Sequence, residues 1–270
     1  MTNSSDNLQR FVFNEGEVRG ELVVLDDTLD DALRDRDYPE PAATLLAQSL
    51  SAAVLLGGVL KMKGRISLQA KGEGPVTLLM ADCSHERGVR GLIHADDSIG
   101  HGSISQQLGQ GQLAITLEPE QGQRYQGIVP LESESLSGCL QDYFARSEQL
   151  DTLILLSANG ERSGGLMLQK MPGYTATGDD DLWNRLTHLA STTSQDELLE
   201  LAPETVLHRL FHEEDISLYP AEPVVFQCHC SRERTENALQ TMGAQECYDL
   251  LAEQGEITVD CQFCNQQYRF

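Results

Sequence analysis

The chain has 270 residues, 40% of them hydrophobic and 23% charged, which is enough for one large globular domain or two smaller ones. Its 42 acidic residues outnumber 19 basic ones, and a net charge of −23 opposes binding to phosphate backbones and to anionic lipid surfaces. We therefore expect no nucleic-acid partner and no membrane partner. The first residues lack the basic and apolar segments of a signal peptide, and seven cysteines, mostly clustered, favour a reducing cytoplasm.

The first part of the chain is rich in predicted strands. Runs of β-branched and apolar residues, separated by turn residues, predict strands at 18–25, 65–70, 75–80, 89–94, 112–117 and 125–129. The apolar stretch 42–60 has a borderline length for a membrane span. Its polar side chains and the pair Gly57-Gly58 favour a helix that is buried in a protein core instead.

The hydrophobic period changes after residue 135. Leu136, Cys139, Leu140 and Tyr143 recur at helical spacing, and two further strands are predicted at 152–157 and 165–171. Strands in runs, with the helices segregated, are typical of an α+β domain with mixed sheets and packed helices. We assign residues 1–174 to this domain.

An acidic segment follows, and we predict a metastable helical linker at 175–225. Residues 178–222 contain eleven acids against Arg185 and Arg209 alone. Ser194 and Glu197 form a capping-box pattern, and Pro203 is typical of the first residue of a helix. The apolar residues of these helices that we expect to leave a docking surface, and that are candidates for contact with clients, are Leu182, Trp183, Leu186, Leu207, Leu210 and Phe211. Short helices with this much like charge are marginal alone and need a docking surface.

Four cysteines dominate the last part of the chain, residues 226–270. Cys228 and Cys230 form a Cys-x-Cys pair, and Cys261 and Cys264 form a Cys-x-x-Cys pair after a spacer of about thirty residues. Two close pairs of thiolates are the ligand set of a tetrahedral zinc site. We predict one zinc ion per chain in the reduced form. Cys247 shares a helical face with apolar residues and is expected to be a small core residue.

Two other functions compete with a zinc-dependent role. Cys261 and Cys264 could be the dithiol of a thiol-disulfide oxidoreductase, although such a pair normally opens a helix after a strand. A zinc-ribbon nucleic-acid binder would need a basic face, which the net charge disfavours.

Several motifs in one order carry a resemblance to a known family. They are Val18-Arg-Gly-Glu-Leu22, Asp37-Tyr-Pro39, residues 68–75 (LQAKGEGP), Arg124-Tyr-Gln-Gly127, residues 142–149 (DYFARSEQ) and Cys228-His-Cys-Ser-Arg-Glu-Arg234. With the two cysteine pairs, they resemble the bacterial 33 kDa heat-shock protein family, the redox-regulated chaperones, over nearly the whole chain.

The resemblance implies a function that does not involve catalysis. Members are ATP-independent holdases that bind unfolding proteins under oxidative stress, often with heat. They have a substrate-binding domain, a metastable linker and a zinc-binding redox switch, and they form homodimers when oxidised. The family's zinc ligands correspond to Cys228, Cys230, Cys261 and Cys264. On oxidation, four cysteines allow three disulfide pairings, of which the short loops favour Cys228–Cys230 and Cys261–Cys264.

Overall fold

The core of the protein is built around one long helix that lies between two β-sheets. A computed structural model describes residues 6–13, 17–59, 63–172 and 181–270. The chain divides into two units, Met1–Phe226 (unit one) and Gln227–Phe270 (unit two).

Unit one has the predicted α+β composition. Its strands are β1 (Asn7–Phe13), β2 (Val18–Leu25), β3 (Gly64–Gly72), β4 (Val76–Ser84), β5 (Gly88–Ala95), β6 (Gly111–Pro119), β7 (Tyr125–Pro130), β8 (Thr152–Ala158), β9 (Ser163–Lys170), β10 (Ile216–Leu218), β11 (Glu222–Pro223) and β12 (Val225–Phe226). Its helices are α1 (Asp27–Leu33), α2 (Glu40–Gly58), α3 (Ile104–Leu108), α4 (Leu136–Tyr143), α5 (Leu182–Ala190), α6 (Gln195–Glu200) and α7 (Pro203–Phe211). A π-helical segment, Phe144–Glu148, continues α4.

Two sheets organise these strands. Sheet one has the order β10-β1-β2-β9-β8, with β11 also paired to β1, and sheet two has the order β12-β5-β4-β3-β6-β7. The pairs are antiparallel except for β12, which runs parallel to β5. All the strands predicted between residues 18 and 171 are confirmed, whereas β1, β10, β11 and β12 were not predicted.

The long helix α2 lies in the core, as its polar residues and glycines predicted. It contacts strands of both sheets. Among the described residues it is the one helix long and apolar enough to cross a membrane, and 78% of its most apolar window is buried inside the fold. Gly91 allows a close approach, because a Cβ there would lie 2.8 Å from Leu46 Cδ1 and 2.9 Å from Leu50 Cδ2.

The segment 216–226 joins the edges of both sheets. Strands β10 and β11 pair with β1, and β12 pairs with β5. Glu222 forms an ion pair with Arg10 and accepts a hydrogen bond of 2.7 Å from Arg87 Nε. Arg87 also donates to the Gly57 carbonyl at the end of α2 (2.8 Å). The strands that precede Cys228 are therefore tied to the core of unit one.

A buried carboxyl group lies beside this network. Glu21 on β2 is 2% exposed, and its Oε2 has no hydrogen-bond partner in the described part of the chain. Burial raises the pKa of Glu21 to about 8, against the lowering effect of Arg19, Arg87 and Arg10, while Glu222 adds to the rise. Glu21 therefore keeps its proton at neutral pH.

The replacement Glu21→Gln tests this protonation state. The unfolded chain loses the Glu21 proton near pH 4.5, whereas the folded chain keeps it until about pH 8. The unfolded state therefore binds fewer protons in this window, and the stability of the wild-type protein falls as the pH rises through it. We expect E21Q to lose less stability than wild type between pH 5 and pH 8, measured by urea denaturation of the reduced protein. The exposed Glu120→Gln is the control, and equal losses in all three proteins would contradict a protonated Glu21.

Candidate metal centre and docked linker

Unit two holds the two cysteine pairs on a hairpin and next to a helix. Its elements are β13 (Thr258–Asp260), β14 (Gln267–Arg269), α8 (Arg232–Met242) and α9 (Ala244–Gln254). Strands β13 and β14 pair antiparallel, and Cys261 and Cys264 lie in the turn between them.

The hairpin turn is closed by backbone hydrogen bonds. The N–H of Cys261 donates to the Gln266 carbonyl (2.9 Å), and the N–H of Asn265 donates to the Cys261 carbonyl (2.8 Å). Asn265 has a φ of 59°, a left-handed conformation that asparagine tolerates better than most residues. The tight turn brings Cys261 and Cys264 into one metal-binding cluster.

The first cysteine pair immediately precedes α8. Ser231 caps this helix, since its hydroxyl accepts a hydrogen bond from the Arg234 N–H (3.2 Å). The Arg234 guanidinium in turn donates to the carbonyl of His229 (2.6 Å). These contacts fix the backbone that carries Cys228 and Cys230.

The structure brings all four predicted cysteines together. Their Sγ atoms lie within 4.8 Å of one another, and the cluster does not include His229. The Sγ atoms of Cys228 and Cys261 are 3.6 Å apart, and those of Cys230 and Cys264 are 3.4 Å apart. Four sulfurs around a zinc ion at about 2.3 Å would be about 3.8 Å apart, so the donor set and its spacing fit zinc. None of these four described cysteines forms a disulfide bond.

The environment of the sulfurs is uneven. Burial raises the pKa of Cys228 and of Cys264. Burial also acts to raise the pKa of Cys261, but the N–H groups of Cys264 and Phe263 and the Cys228 thiol outweigh it, so this pKa is lowered. Cys261 is therefore the most readily deprotonated of these three thiols.

Three residues that sequence reasoning missed support the cluster. The hydroxyl of Tyr268 donates to Cys230 Sγ (3.2 Å), and this hydrogen bond raises the pKa of Tyr268 to about 12. Arg232 lies 4.3 Å from the centre of the Phe270 ring and donates to the carbonyl of Arg269 (2.9 Å). Arg232 therefore joins the start of α8 to the hairpin that carries the second cysteine pair.

The three remaining cysteines lie outside the cluster. Cys83 and Cys139 are buried in unit one. Burial raises the pKa of Cys83 to about 12 and also raises the pKa of Cys139, which makes both thiols poor nucleophiles. Cys247 on α9 donates to the Leu239 carbonyl on α8 (3.5 Å). It is only half-buried, so the prediction of a core residue is wrong, because α8 and α9 bury no side chain completely.

The predicted linker helices cover the outer face of sheet one. Of the six linker residues singled out from the sequence, Leu182, Leu186, Leu207 and Phe211 are buried, and Trp183 and Leu210 are partly buried. These residues pack in one cluster with side chains from strands β1, β2 and β9 of sheet one. The sheet residues of the cluster are Phe11, Phe13, Val18, Leu22, Val24, Leu166 and Leu168. The docking surface that the marginal helices require is therefore this sheet face.

Polar contacts hold the edges of the linker. Arg185 forms a two-point ion pair with Glu214, at 2.6 and 3.0 Å. Arg162, in the turn that precedes β9, forms an ion pair with Glu200 (3.1 Å). The side chain of Gln195 donates a hydrogen bond to the Ala158 carbonyl (2.8 Å). Ser194 and Glu197 form the predicted capping box at the start of α6.

Comparisons with known proteins agree with this arrangement. The family model described as Hsp33 protein matches residues 6–270. The 33 kDa chaperonin of Pseudomonas aeruginosa strain UCBPP-PA14 is 49% identical over 98% of this chain and 92% of its own length. The 33 kDa chaperonin of Hahella chejuensis is 48% identical over 98% of this chain and 94% of its own length.

The chain belongs to the Hsp33 family. The names of these relatives support a chaperone function. The crystal structure of the 33 kDa chaperonin (heat shock protein 33 homologue) of Thermotoga maritima matches the fold with a TM-score of 0.85, covering 98% of this chain and 94% of that one at 23% identity. The resemblance inferred from the motifs is thereby confirmed.

The replacement Tyr268→Phe tests the support of the cluster in this Hsp33 chain. It removes the hydrogen bond to Cys230 Sγ and leaves the ring in place. Loss of such an outer hydrogen bond typically lowers metal affinity by about 10- to 100-fold, which we expect for zinc here. Competition with a chromogenic chelator measures the affinity. Tyr248→Phe on the exposed side of α9 is the matched control, and a wild-type affinity in Y268F would rule out this role.

Proposed function

We propose that this chain is a redox-regulated, ATP-independent holdase that binds unfolding proteins under oxidative stress, including stress combined with heat. In this proposal the reduced, zinc-bound form is inactive, and oxidation to two disulfides with release of zinc activates it. The observation that carries the proposal is the apolar outer face of sheet one, covered by the acidic linker helices.

The four thiols provide the oxidisable centre. Bound zinc would hold Cys228, Cys230, Cys261 and Cys264 as thiolates, which is the form that peroxide attacks. Two thiolates, one hydrogen peroxide and two protons give one disulfide and two water molecules. The short loops favour the pairs Cys228–Cys230 and Cys261–Cys264. Sulfurs that are bonded to each other no longer serve as thiolate ligands, so oxidation releases the metal.

Unit two has little other means of staying folded. Of residues 227–270, all of which the structure describes, Ile257 alone is buried. Zinc contributes about 10–16 kcal/mol to the folding of small four-ligand modules, whereas short-loop disulfides recover a few kcal/mol at most. We therefore infer that unit two unfolds when its cysteines are oxidised.

We infer that unfolding of unit two would destabilise the docked linker, because the segment that precedes Cys228 connects the two. Strands β10, β11 and β12 lie between α7 and Cys228, and β10 and β11 pair with β1. Phe11 and Phe13 on β1 contact Phe211 on α7. A disturbance at the start of unit two can therefore loosen α7 and uncover the apolar face of sheet one for clients.

The remaining features of the proposal follow from the family. We infer a cytoplasmic location, unfolded or partly unfolded client proteins as partners, and a homodimer in the oxidised state. The oxidoreductase alternative is less well supported, because Cys261 and Cys264 lie in a hairpin turn and not at the start of a helix.

A light-scattering assay tests the switch directly. We expect peroxide-treated protein, and not reduced zinc-bound protein, to suppress the aggregation of a heat-denatured client at a stoichiometric ratio. Zinc release, followed with a chromogenic chelator, should rise in parallel to about one ion per chain. Cys247→Ser lies outside the cluster and should respond like wild type. Equal suppression before and after oxidation, or catalytic turnover of a disulfide substrate by zinc-free reduced protein, would refute the proposal.

The replacement Phe211→Ala tests the linker without an oxidant. The ring of Phe211 packs edge-to-face on Phe13 with centroids 5.0 Å apart, and it is 1% exposed. Its loss should cost about 3–5 kcal/mol of packing and undock the linker. We expect reduced, zinc-bound F211A to suppress aggregation and to shift the emission of Trp183 to longer wavelength. His212→Ala, on the exposed side of the same turn, should stay inactive, and an inactive F211A with wild-type emission would count against undocking.

A further inference from the structure

A cavity of about 200 Å³ lies at the carboxyl end of α2, between the two sheets. Its apolar lining comes from Leu56 of α2 and Val59 just after it, from sheet two (Ile66 and Ile115) and from the ring of Phe144. An apolar cavity of about 150 Å³ is large enough to bind benzene. This cavity can therefore hold an aromatic or a branched aliphatic group.

Two polar side chains, Arg19 and Gln169, also line the cavity. Arg19 on β2 lines the cavity and donates from Nε to Gln169 Oε1 (3.1 Å) and from Nη2 to the same oxygen. The Gln169 amide is held by its own donation to Thr152 Oγ1 (2.8 Å). The guanidinium of Arg19 is therefore oriented by its neighbours in the sheet.

Among the described residues, no carboxylate forms an ion pair with Arg19. In the described ranges its hydrogen bonds go to Gln169, and Glu21 is the titratable side chain whose ionisation would affect the pKa of Arg19. Burial raises the pKa of Glu21 to about 8, so this carboxyl group is protonated at neutral pH. Burial of Arg19 lowers the pKa of its own guanidinium. A half-buried cation with a neutral neighbour favours an anionic group brought by a ligand.

A second charged residue lines the cavity, on the π-helical segment. Glu148 is exposed, and its Oε1 accepts hydrogen bonds from the hydroxyl of Tyr143 (2.7 Å) and from that of Tyr125 (3.3 Å). The segment ends at Gln149 with a left-handed φ of 55°. π-Helical turns occur frequently at functional sites.

Three of the motifs that carry the family resemblance meet here. Arg19 belongs to 18–22, Tyr125 belongs to 124–127, and Tyr143, Phe144 and Glu148 belong to 142–149. The zinc cluster and the linker interface use none of these five side chains. Arg19, Tyr143, Phe144 and Glu148 line the cavity, and Tyr125 is joined to it by its hydrogen bond to Glu148.

We propose that this cavity binds an apolar group that ends in a carboxylate, with the apolar part between α2 and sheet two and the carboxylate on Arg19. Two sources can supply this chemistry, a free small acid or the last residue of a protein chain. The site is separate from the redox switch, and it is present while the linker is docked.

Paired ligands test the charge requirement on the reduced, metal-loaded chain. Phenylpropionate and phenylpropanol share an apolar body, and only the first carries a carboxylate. We expect phenylpropionate to bind at least about 10-fold more tightly, since a hydrogen bond to a charged group contributes about 1.5–3 kcal/mol. Methyl NMR shifts of Ile66 and Ile115 locate the ligand. Equal affinities would overturn the proposal, as would shifts confined to other methyl groups, and the first result would indicate a pocket for apolar side chains only.

Substitutions of Arg19 and Glu148 test the part that each side chain has in binding the carboxylate. Arg19→Gln should weaken phenylpropionate binding by about 10-fold or more, whereas Arg146→Gln, exposed on the same π-helical segment as Glu148, should leave it unchanged. Glu148→Gln should strengthen it severalfold, because it removes a like charge from the cavity lining. If R19Q does not fold, E148Q and the ligand pair decide, and unchanged binding in E148Q with equal ligand affinities overturns the proposal.

Peptides distinguish the two sources. Acetyl-Gly-Gly-Phe with a free carboxylate should bind more tightly than its amide if the cavity receives a chain end. Binding of phenylpropionate without binding of the peptide acid assigns a free small acid. Failure of all these ligands overturns the cavity proposal and leaves the redox proposal intact, because reduced protein with a docked linker is used throughout.

Discussion

The packing of three short helices from the acidic segment on one face of sheet one is the contact on which the rest of the structure depends. Antiparallel sheets commonly leave one face to solvent, but here both faces are apolar. The inner face packs on α2, and the outer face presents Phe11, Phe13 and Leu22 to the linker. Helices of six to nine residues are marginally stable alone. Packing on the outer face of sheet one therefore stabilises the three linker helices.

The candidate metal centre follows directly after the segment that pairs with the edges of both sheets. Ile257 is the one buried side chain of unit two, all of whose residues are described, and the Sγ atoms of its four clustered cysteines lie within 4.8 Å of one another. The segment between α7 and Cys228 is paired with β1 and β5 and fixed by Glu222 to Arg10 and Arg87. The residues immediately before Cys228 therefore lie at the edges of both sheets, including the edge formed by strand β1, on which the linker packs.

The features that could be predicted from the sequence are those that depend on residues close together in the chain. Alternating residues identified the strands from 18 to 171, and cysteine spacing identified the metal cluster. Strand β1 was missed because Gln9 and Arg10 interrupt its apolar residues. Those side chains have partners in the distant segment at Tyr219 and Glu222, which the local pattern does not reveal. Tyr268 at the cluster was missed for the same reason, since its partner Cys230 is distant in sequence.

The two apolar clusters of unit one explain how a large surface could open without loss of the fold. Side chains of β2 alternate between them, with Val23 in the cluster around α2 and Leu22 in the cluster under the linker. Sheet one separates the clusters, so removal of the linker exposes one and leaves the other packed. Segments with few buried contacts open at lower free energy than a protein core does. The arrangement therefore permits a partial unfolding that ends at the backbone of sheet one.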